Sequence, residues 1–184
     1  MTEPNQAAPT HPPPARWAKR VAAAVAIAAL GAAAYYAVLI IQRSIVFARR
    51  DLVMAAFQNL GPALDQYRND AGNFMPWRMT DSGPELNLDF WGASSAQVIE
   101  KYLPFDISDP FAPPPRLLRY WANQEGWTTW SIGPDRRYDI VDPKDYEFPG
   151  PKTADHLAPF QYDPTNGLLS AGDLFLLYRA MPGE

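Results

Sequence analysis

Residues Val21–Ile41 form 21 consecutive uncharged positions, ten of them Ala. A helix needs about 20 apolar residues to cross the hydrocarbon core of a bilayer. The run therefore has the length of one membrane span. It passes without a break into a second helical pattern that reaches Asp70. That continuity constrains the chain to one anchor, one helical stalk and one head beyond it. The organisation expected is a Pro-rich disordered tail at 1–15, a transmembrane helix at 16–44, and a stalk and head at 45–184. Unbroken from Arg16 to Asp70, the helix would be on the order of 80 Å long.

The flanks of the run suit an interface. Arg16, Trp17, Lys19 and Arg20 precede it, and Arg43, Arg49 and Arg50 follow it. An amphipathic ring and snorkelling cations sit well at headgroup level. With three cations on each side, charge asymmetry sets no firm orientation; Asp51 and the size of the head favour a cytoplasmic N-terminus. A rival reading exists. A basic start, an apolar stretch and Ala32-Ala33-Ala34 also resemble a secretory signal peptide with a small-residue cleavage site. The apolar run continues past that point through Tyr35 to Ile41, which fits a span better. Ala28, Gly31, Ala32 and Ala33 place small residues at helical spacing, where a second helix can approach closely. Ala28, Gly31 and Ala32 are thus candidate partner-binding positions.

Beyond the anchor, Val53, Phe57, Leu60, Leu64 and Tyr67 recur at three- and four-residue spacing, the stripe of an amphipathic helix. The stripe stays in phase across Gly61-Pro62, which predicts a kink there and not an end. Ala71-Gly72 should close the helix, since Gly accepts a left-handed terminal turn. Residues 73–93 read as irregular. Ser94 and Gln97 have capping-box spacing and should open a short helix that Pro104 ends. Leu117–Trp121 and Trp127–Ile132 read as a hairpin around Asn-Gln-Glu-Gly. Residues 134–166 read as a long loop rich in Pro and Asp. Leu174–Tyr178 reads as a last strand, introduced by Asn166-Gly167 and Ala171-Gly172-Asp173. The fold class is α+β, a long N-terminal helix on a small antiparallel sheet with long Pro-rich loops.

Three exclusions come from composition. There is no Cys, which removes disulfides, thiolate metal sites and cysteine nucleophiles. A net charge of −4 and a head without a basic stripe argue against nucleic acid. No Gly-rich phosphate loop is present. The 24 aromatic residues (6 Trp, 9 Tyr and 9 Phe) allow even a small core to bury much area. By alternation, Trp121 and Trp127 should share one face of the hairpin and Trp130 the other. One face must pack on the stalk. The opposite one would offer a flat aromatic patch to a partner, with Trp121 and Trp127 as candidate partner-binding residues.

Several of these segments resemble a known family. The run Ala63-Leu64-Asp65-Gln66-Tyr67-Arg68-Asn69-Asp70-Ala71-Gly72-Asn73-Phe74-Met75-Pro76 is similar to the A-L-x-x-Y-x-x-D-x-G-x-Y-P signature of type II secretion major pseudopilins. Tyr102-Leu103-Pro104 with Asp109-Pro110-Phe111 resembles that family's Y-L-P…D-P-W block, and Leu118-Arg119-Tyr120 its following Y-x-Y strand. Ser131-Ile132-Gly133-Pro134-Asp135 resembles its S-x-G-P-D turn. The match covers roughly residues 50–140. The segment Tyr162–Gly167, then Ser170-Ala171-Gly172-Asp173-Leu174, resembles the tail of pseudopilin-like proteins outside the standard subset. The resemblance implies a pilin-like fold, a bacterial inner-membrane anchor with its N-terminus in the cytoplasm, and a periplasmic head. It implies partners among other pilin-like subunits or secretion-machine proteins, in an oligomeric assembly. Tyr67 should pack under the sheet, and Asp109-Pro110 should fix a turn. The leader departs from the family. A prepilin carries a cleavage Gly followed by Phe, and a Glu five residues into the mature chain. Here Ala32 follows Gly31, position 36 is Tyr, and no acid lies between Arg16 and Arg50.

The resemblance also implies calcium, which major pseudopilins bind in the loop after the S-x-G-P-D turn. Asp135, Asp139 and Asp142 lie on that loop, and calcium takes several oxygens from such carboxylates. Arg136-Arg137 would repel the ion, and the alternative is a solvated loop of local Asp–Arg pairs. His11, and Asp155-His156 near Asp163, read as surface residues. Ser131 and Ser170 lack a nucleophile-elbow context. The expectation is a structural, non-enzymatic, membrane-anchored subunit of a secretion or pilus-like assembly. The alternative is an anchored or secreted module that holds a peptide or glycan on its aromatic hairpin.

Overall fold

The computed structural model describes residues 15–179, apart from 82, 114–115, 147–152, 164 and 166–170. The tail to residue 14 with His11, and Asn166, Gly167 and Ser170, lie outside them. The chain divides into two units, Met1–Ser44 and Ile45–Glu184. Helix α1 (Ala15–Ala71) contributes to both, its Ala- and Leu-rich sequence favouring helix throughout.

In the first unit, α1 is apolar and uncovered. Val25, Ile27, Leu30, Tyr35, Tyr36, Ile40 and Ile41 are all exposed. This stretch is long and apolar enough to cross a membrane.

The second unit is a helix on an antiparallel sheet, α+β as expected. Val53, Phe57, Leu60, Leu64 and Tyr67 are all buried, so the stripe read from spacing is the face that packs. Fully burying each such aliphatic side chain contributes about 1.5–3 kcal/mol. Pro62 lies inside α1, and the helix continues to Ala71. Gly72 (φ 72) then ends it, its N–H donating to Arg68 O at 2.8 Å.

The sheet has five strands in the order β1-β2-β3-β4-β5, every neighbouring pair antiparallel. Strands β3 (Arg119–Asn123) and β4 (Gly126–Ser131) form the expected hairpin, and β5 (Leu174–Arg179) pairs along β4. Strands β1 (Trp77–Thr80) and β2 (Gly83–Leu86) form a further hairpin inside the segment expected to be irregular. Pro84 lies within β2 and would count against a strand. It is accommodated because β2 pairs with β3 only at Glu85 and Arg119. Helix α2 (Ser95–Tyr102) forms before Pro104, but Ser94 makes no side-chain cap bond. A 3₁₀ turn at Gly92–Ser94 leads into it in place of the capping box. The stretch expected to be a long loop carries short helices α3 (Pro143–Tyr146) and α4 (Thr153–Leu157).

Two clusters lie on the helix side of the sheet. One joins Leu60, Leu64 and Tyr67 to Tyr102, Tyr120 and Trp127. The other joins Val53 and Phe57 to Phe111, Leu118, Ile132, Tyr162 and Leu174. A third cluster, on the opposite side, joins Trp121 and Trp130 to Ile140, Tyr146 and Leu157. Tyr138, Ile140, Tyr146, Leu157 and Phe160 therefore cover the sheet face turned away from α1.

Candidate functional site

Four segments that look independent in the sequence meet at the end of β4. The Asp109 carboxylate is buried. Its Oδ1 accepts from Phe111 N at 2.9 Å and Ser131 Oγ at 2.8 Å, and its Oδ2 accepts from Ile132 N at 2.9 Å. The first bond is the turn expected of Asp109-Pro110. The other two fasten that turn to the start of Ser131-Ile132-Gly133-Pro134-Asp135. Ser131 Oγ also accepts from Gly133 N at 3.3 Å, so this hydroxyl is a structural link.

The tail segment closes on the same turn. Gly133 (φ 72) and Gly172 (φ 122) both take the left-handed region that only Gly adopts freely. A Cβ on Gly133 would stand 2.3 Å from Gly172 O, and one on Gly172 would stand 2.6 Å from Tyr162 N. Two backbones pass here at a distance that no side chain fits. Asp139 and Asp173 then clasp reciprocally. Asp139 Oδ2 accepts from Gly172 N at 2.7 Å; Asp173 Oδ2 accepts from Asp139 N at 3.1 Å and Ile140 N at 2.9 Å. Asp173 is fully buried, and its Oδ1 has no partner among the described residues. Burial pushes its carboxyl up to about 8, with the negative charges of Asp139 and Asp135 adding to the effect against the Ile140 N–H. Burial also raises Asp135.

The three carboxylates expected to hold calcium do not converge. Among the described residues no group of three or more metal-ligating acids or histidines is placed to hold an ion. Two of these carboxylates, Asp135 and Asp139, serve as acceptors for backbone N–H groups. Asp135 Oδ1 accepts from Arg137 N at 3.1 Å, and Asp139 is committed to Gly172. Asp142 lies at the start of α3, where its carbonyl accepts from Asp145 N at 2.7 Å and its N–H donates to Asp145 Oδ2 at 3.2 Å. His156 pairs with Asp145, Nε2 to Oδ1 at 3.0 Å. Asp163 accepts from Thr165 N and Oγ1.

The hairpin tryptophans also differ from expectation. Asn123 pairs with Gly126, so odd-numbered residues of β3 share a face with even-numbered residues of β4. Trp121 and Trp130 therefore share the face away from α1, and Trp127 lies on the α1 face; counting alternation straight through the turn inverts this. All three are interior, at 5%, 1% and 2% exposure for Trp121, Trp130 and Trp127. Trp127 stacks on Tyr178 at 5.8 Å between ring centroids, and Trp130 on Tyr146 at 5.2 Å. Trp121 and Trp127 are core residues, and the three form no open aromatic patch. The cover over Trp121 and Trp130 comes from residues read as a long loop.

Ala28, Gly31 and Ala32 are all exposed in the first unit, with open space where a Gly31 Cβ would stand. Among residues not singled out beforehand, Asp145 and Arg119 prove central to the outer layer. Only their placement opposite His156 and Glu85 reveals them, and neither pairing has a sequence motif.

No protein-family model matches the chain, and no curated protein or solved structure matches it. The findings common to the chain and the pilin pattern are a long apolar N-terminal helix and a small antiparallel sheet packed on its continuation.

Proposed function

We propose that the chain is a structural, non-enzymatic subunit of a secretion or pilus-like envelope assembly, anchored in the bacterial inner membrane. Its N-terminus is cytoplasmic and its head periplasmic. The observation that carries this reading is the double use of one helix. Its first part leaves apolar side chains uncovered, and its second buries a stripe under the antiparallel meander. The pseudopilin-like motifs support the same reading, since they are the residues that fasten the head together. The leader's departure from the prepilin pattern favours a chain that keeps its anchor. Interior positions for Trp121, Trp127 and Trp130 give no support to a head that grips a peptide or glycan with an aromatic face.

The test is photo-crosslinking in membranes of the native host, with the photoreactive residue at Ala28, Ala32 or Leu52. All three are exposed. Discrete adducts to a second copy or to envelope proteins are expected. Monomer at every position, with the head folded, refutes assembly. Orientation is read independently, because the chain has no Cys. A cysteine at Gln124 should react with an impermeant maleimide added outside spheroplasts, and one at Asn5 should not. Intact mass separates the processing routes: an uncut chain is a permanent anchor, and loss through Ala34 means a released head.

A further inference from the structure

The outer face of the sheet holds a charged side chain whose hydrogen-bonding capacity is only partly used. Arg119 is 1% exposed. Its Nη1 donates to Glu85 Oε1 at 2.7 Å across the β2–β3 pair. Its guanidinium carbon lies 4.4 Å from the centroid of the Tyr138 ring, and the Gly83 backbone passes close to it, a Cβ there falling 3.7 Å from Nε. Nε and Nη2 have no partner among the described residues. Those two atoms belong to one planar fork, whose N–H groups match the two oxygens of a carboxylate. A buried donor without a partner is rare in folded proteins.

Four of the ten buried side-chain atoms without a partner among the described residues belong to residues around one cavity. A cavity of about 250 Å³ is lined by Arg119, Trp130, Tyr138 and Tyr146, with Asp81 and Gly83 on the β1–β2 side. Trp130 Nε1 and the Tyr138 hydroxyl are likewise buried and without partners among the described residues. Four groups without a partner at hydrogen-bond distance thus belong to three side chains that line the cavity, with the Tyr138 hydroxyl held toward Arg119, and each can donate. Nothing comparable is expected of a purely structural Arg–Glu pair, which would use its remaining N–H groups on backbone carbonyls.

We propose that this cavity binds a small carboxylate with a short apolar stem, seated on the Nε–Nη2 edge of Arg119. The fork takes the two oxygens, and Trp130 Nε1–H and the Tyr138 hydroxyl supply further donors. The aromatic walls take the stem. Among the described residues, opposing charge comes from Glu85, already paired through Nη1, from Asp81, exposed at the rim, and from Asp109, whose negative charge acts on Tyr138. Recognition therefore rests on fork geometry more than on net charge. The proposal is independent of any role in assembly. Two sources present this chemistry, a free organic acid and the C-terminus of a peptide.

The test is ¹⁵N NMR of the full chain in non-ionic micelles, following the Arg119 Nε–H and Trp130 indole signals. The probes are sodium propionate, propionamide, sodium chloride at matched ionic strength, and an acetylated dipeptide as free acid and as amide. The expected result is a saturable shift of both signals with propionate, absent with propionamide and chloride. Tighter binding of the dipeptide acid than of propionate identifies a chain terminus as the source; the reverse identifies a free acid. Arg119→Lys keeps a charge for Glu85 and removes the fork, and should weaken propionate at least tenfold; Tyr138→Phe should weaken it less. If Arg119→Lys does not fold, the signals of the unaltered chain still decide. No saturable shift, or an equal response to propionamide, overturns the proposal and leaves ordered water as the occupant.

Discussion

Replacing Asp109 tests whether the D-P-F and S-x-G-P-D segments are one physical unit. Asp109→Ala removes the acceptor for Phe111 N, Ser131 Oγ and Ile132 N in one step. The Ser131 hydroxyl can rotate to another partner, but the two backbone N–H groups cannot. Each buried donor left unpaired costs about 1–3 kcal/mol, and bonds to a charged acceptor lie at the upper end. The expected loss is about 4 kcal/mol, a large share of the roughly 5–15 kcal/mol of a typical domain. In a unit of this size that lowers Tm by about 8–16 °C. Asp109→Asn keeps one oxygen and presents an NH₂ group where the other stood. It should lose one bond and cost about 1–3 kcal/mol. Ser131→Ala should cost about 1 kcal/mol and couple to Asp109→Ala by at least about 0.5 kcal/mol in a double-mutant cycle. The assay is urea unfolding of the detergent-solubilised chain followed by tryptophan fluorescence, for which the interior Trp127 and Trp130 are good reporters. A loss below about 1 kcal/mol for Asp109→Ala, or strict additivity with Ser131→Ala, would refute the reasoning.

Gly133→Ala should be among the most damaging single substitutions, since its methyl would stand 2.3 Å from the Gly172 carbonyl oxygen and the φ of 72 would be strained besides. A Tm within about 3 °C of the unaltered chain, a cost of roughly 1 kcal/mol, would sink that account of the crossing. Asp173 predicts a pH dependence. Its folded pKa is raised from 3.8 to about 8, so the folded state holds a proton that the unfolded chain releases. The stability this contributes is full below about pH 4 and is lost as pH rises towards 8. Asp173→Asn retains an oxygen for Asp139 N and Ile140 N and should flatten that decline, on the order of a few kcal/mol between pH 4 and 8. Parallel pH profiles for the two proteins in a thermal melt series would show that Asp173 does not titrate in this window.

The α1 stripe was legible because period and burial are the same thing on a helix. Val53, Phe57, Leu60, Leu64 and Tyr67 could pack only on one side. The β3–β4 hairpin and β5 were legible because aromatic and aliphatic runs stood between turn residues. The β1–β2 hairpin was not. Its strands are four residues long, one contains Pro84, and β2 joins β3 only through Glu85 opposite Arg119, a pairing that local sequence does not encode. The tryptophan faces went wrong for a related reason. Which face a residue occupies in the second strand of a hairpin depends on the pairing register, and a two-residue turn with Asn123 opposite Gly126 shifts the parity.

The acidic loop and the folding motifs differ in what spacing alone reveals. A loop of acids reads as a cation site only if its carboxylates are free, and freedom is a property of the fold, not of spacing. Asp135 and Asp139 are engaged by N–H groups of their own and crossing turns, one of which, Gly172, lies 33 residues away in the chain. Asp109-Pro110 was legible as a turn, whereas the parts played by Ser131, Gly133 and the Gly172 crossing were not. Asp109, Ser131, Gly133 and Gly172 converge where the tail crosses the end of β4, and that convergence restricts the residue types that fit. A carboxylate is needed to accept three donors, and two glycines are needed where backbones cross at 2.3–2.8 Å from any added carbon. Such a junction sets the shape of the head. It follows that loss of any one of these residues should act through folding, and that a variant which folds should assemble. Crosslinking from Leu52 in a folded Asp109→Asn chain separates the two roles directly: adducts at the unaltered level assign the motif to the fold, and their loss assigns it to the partner.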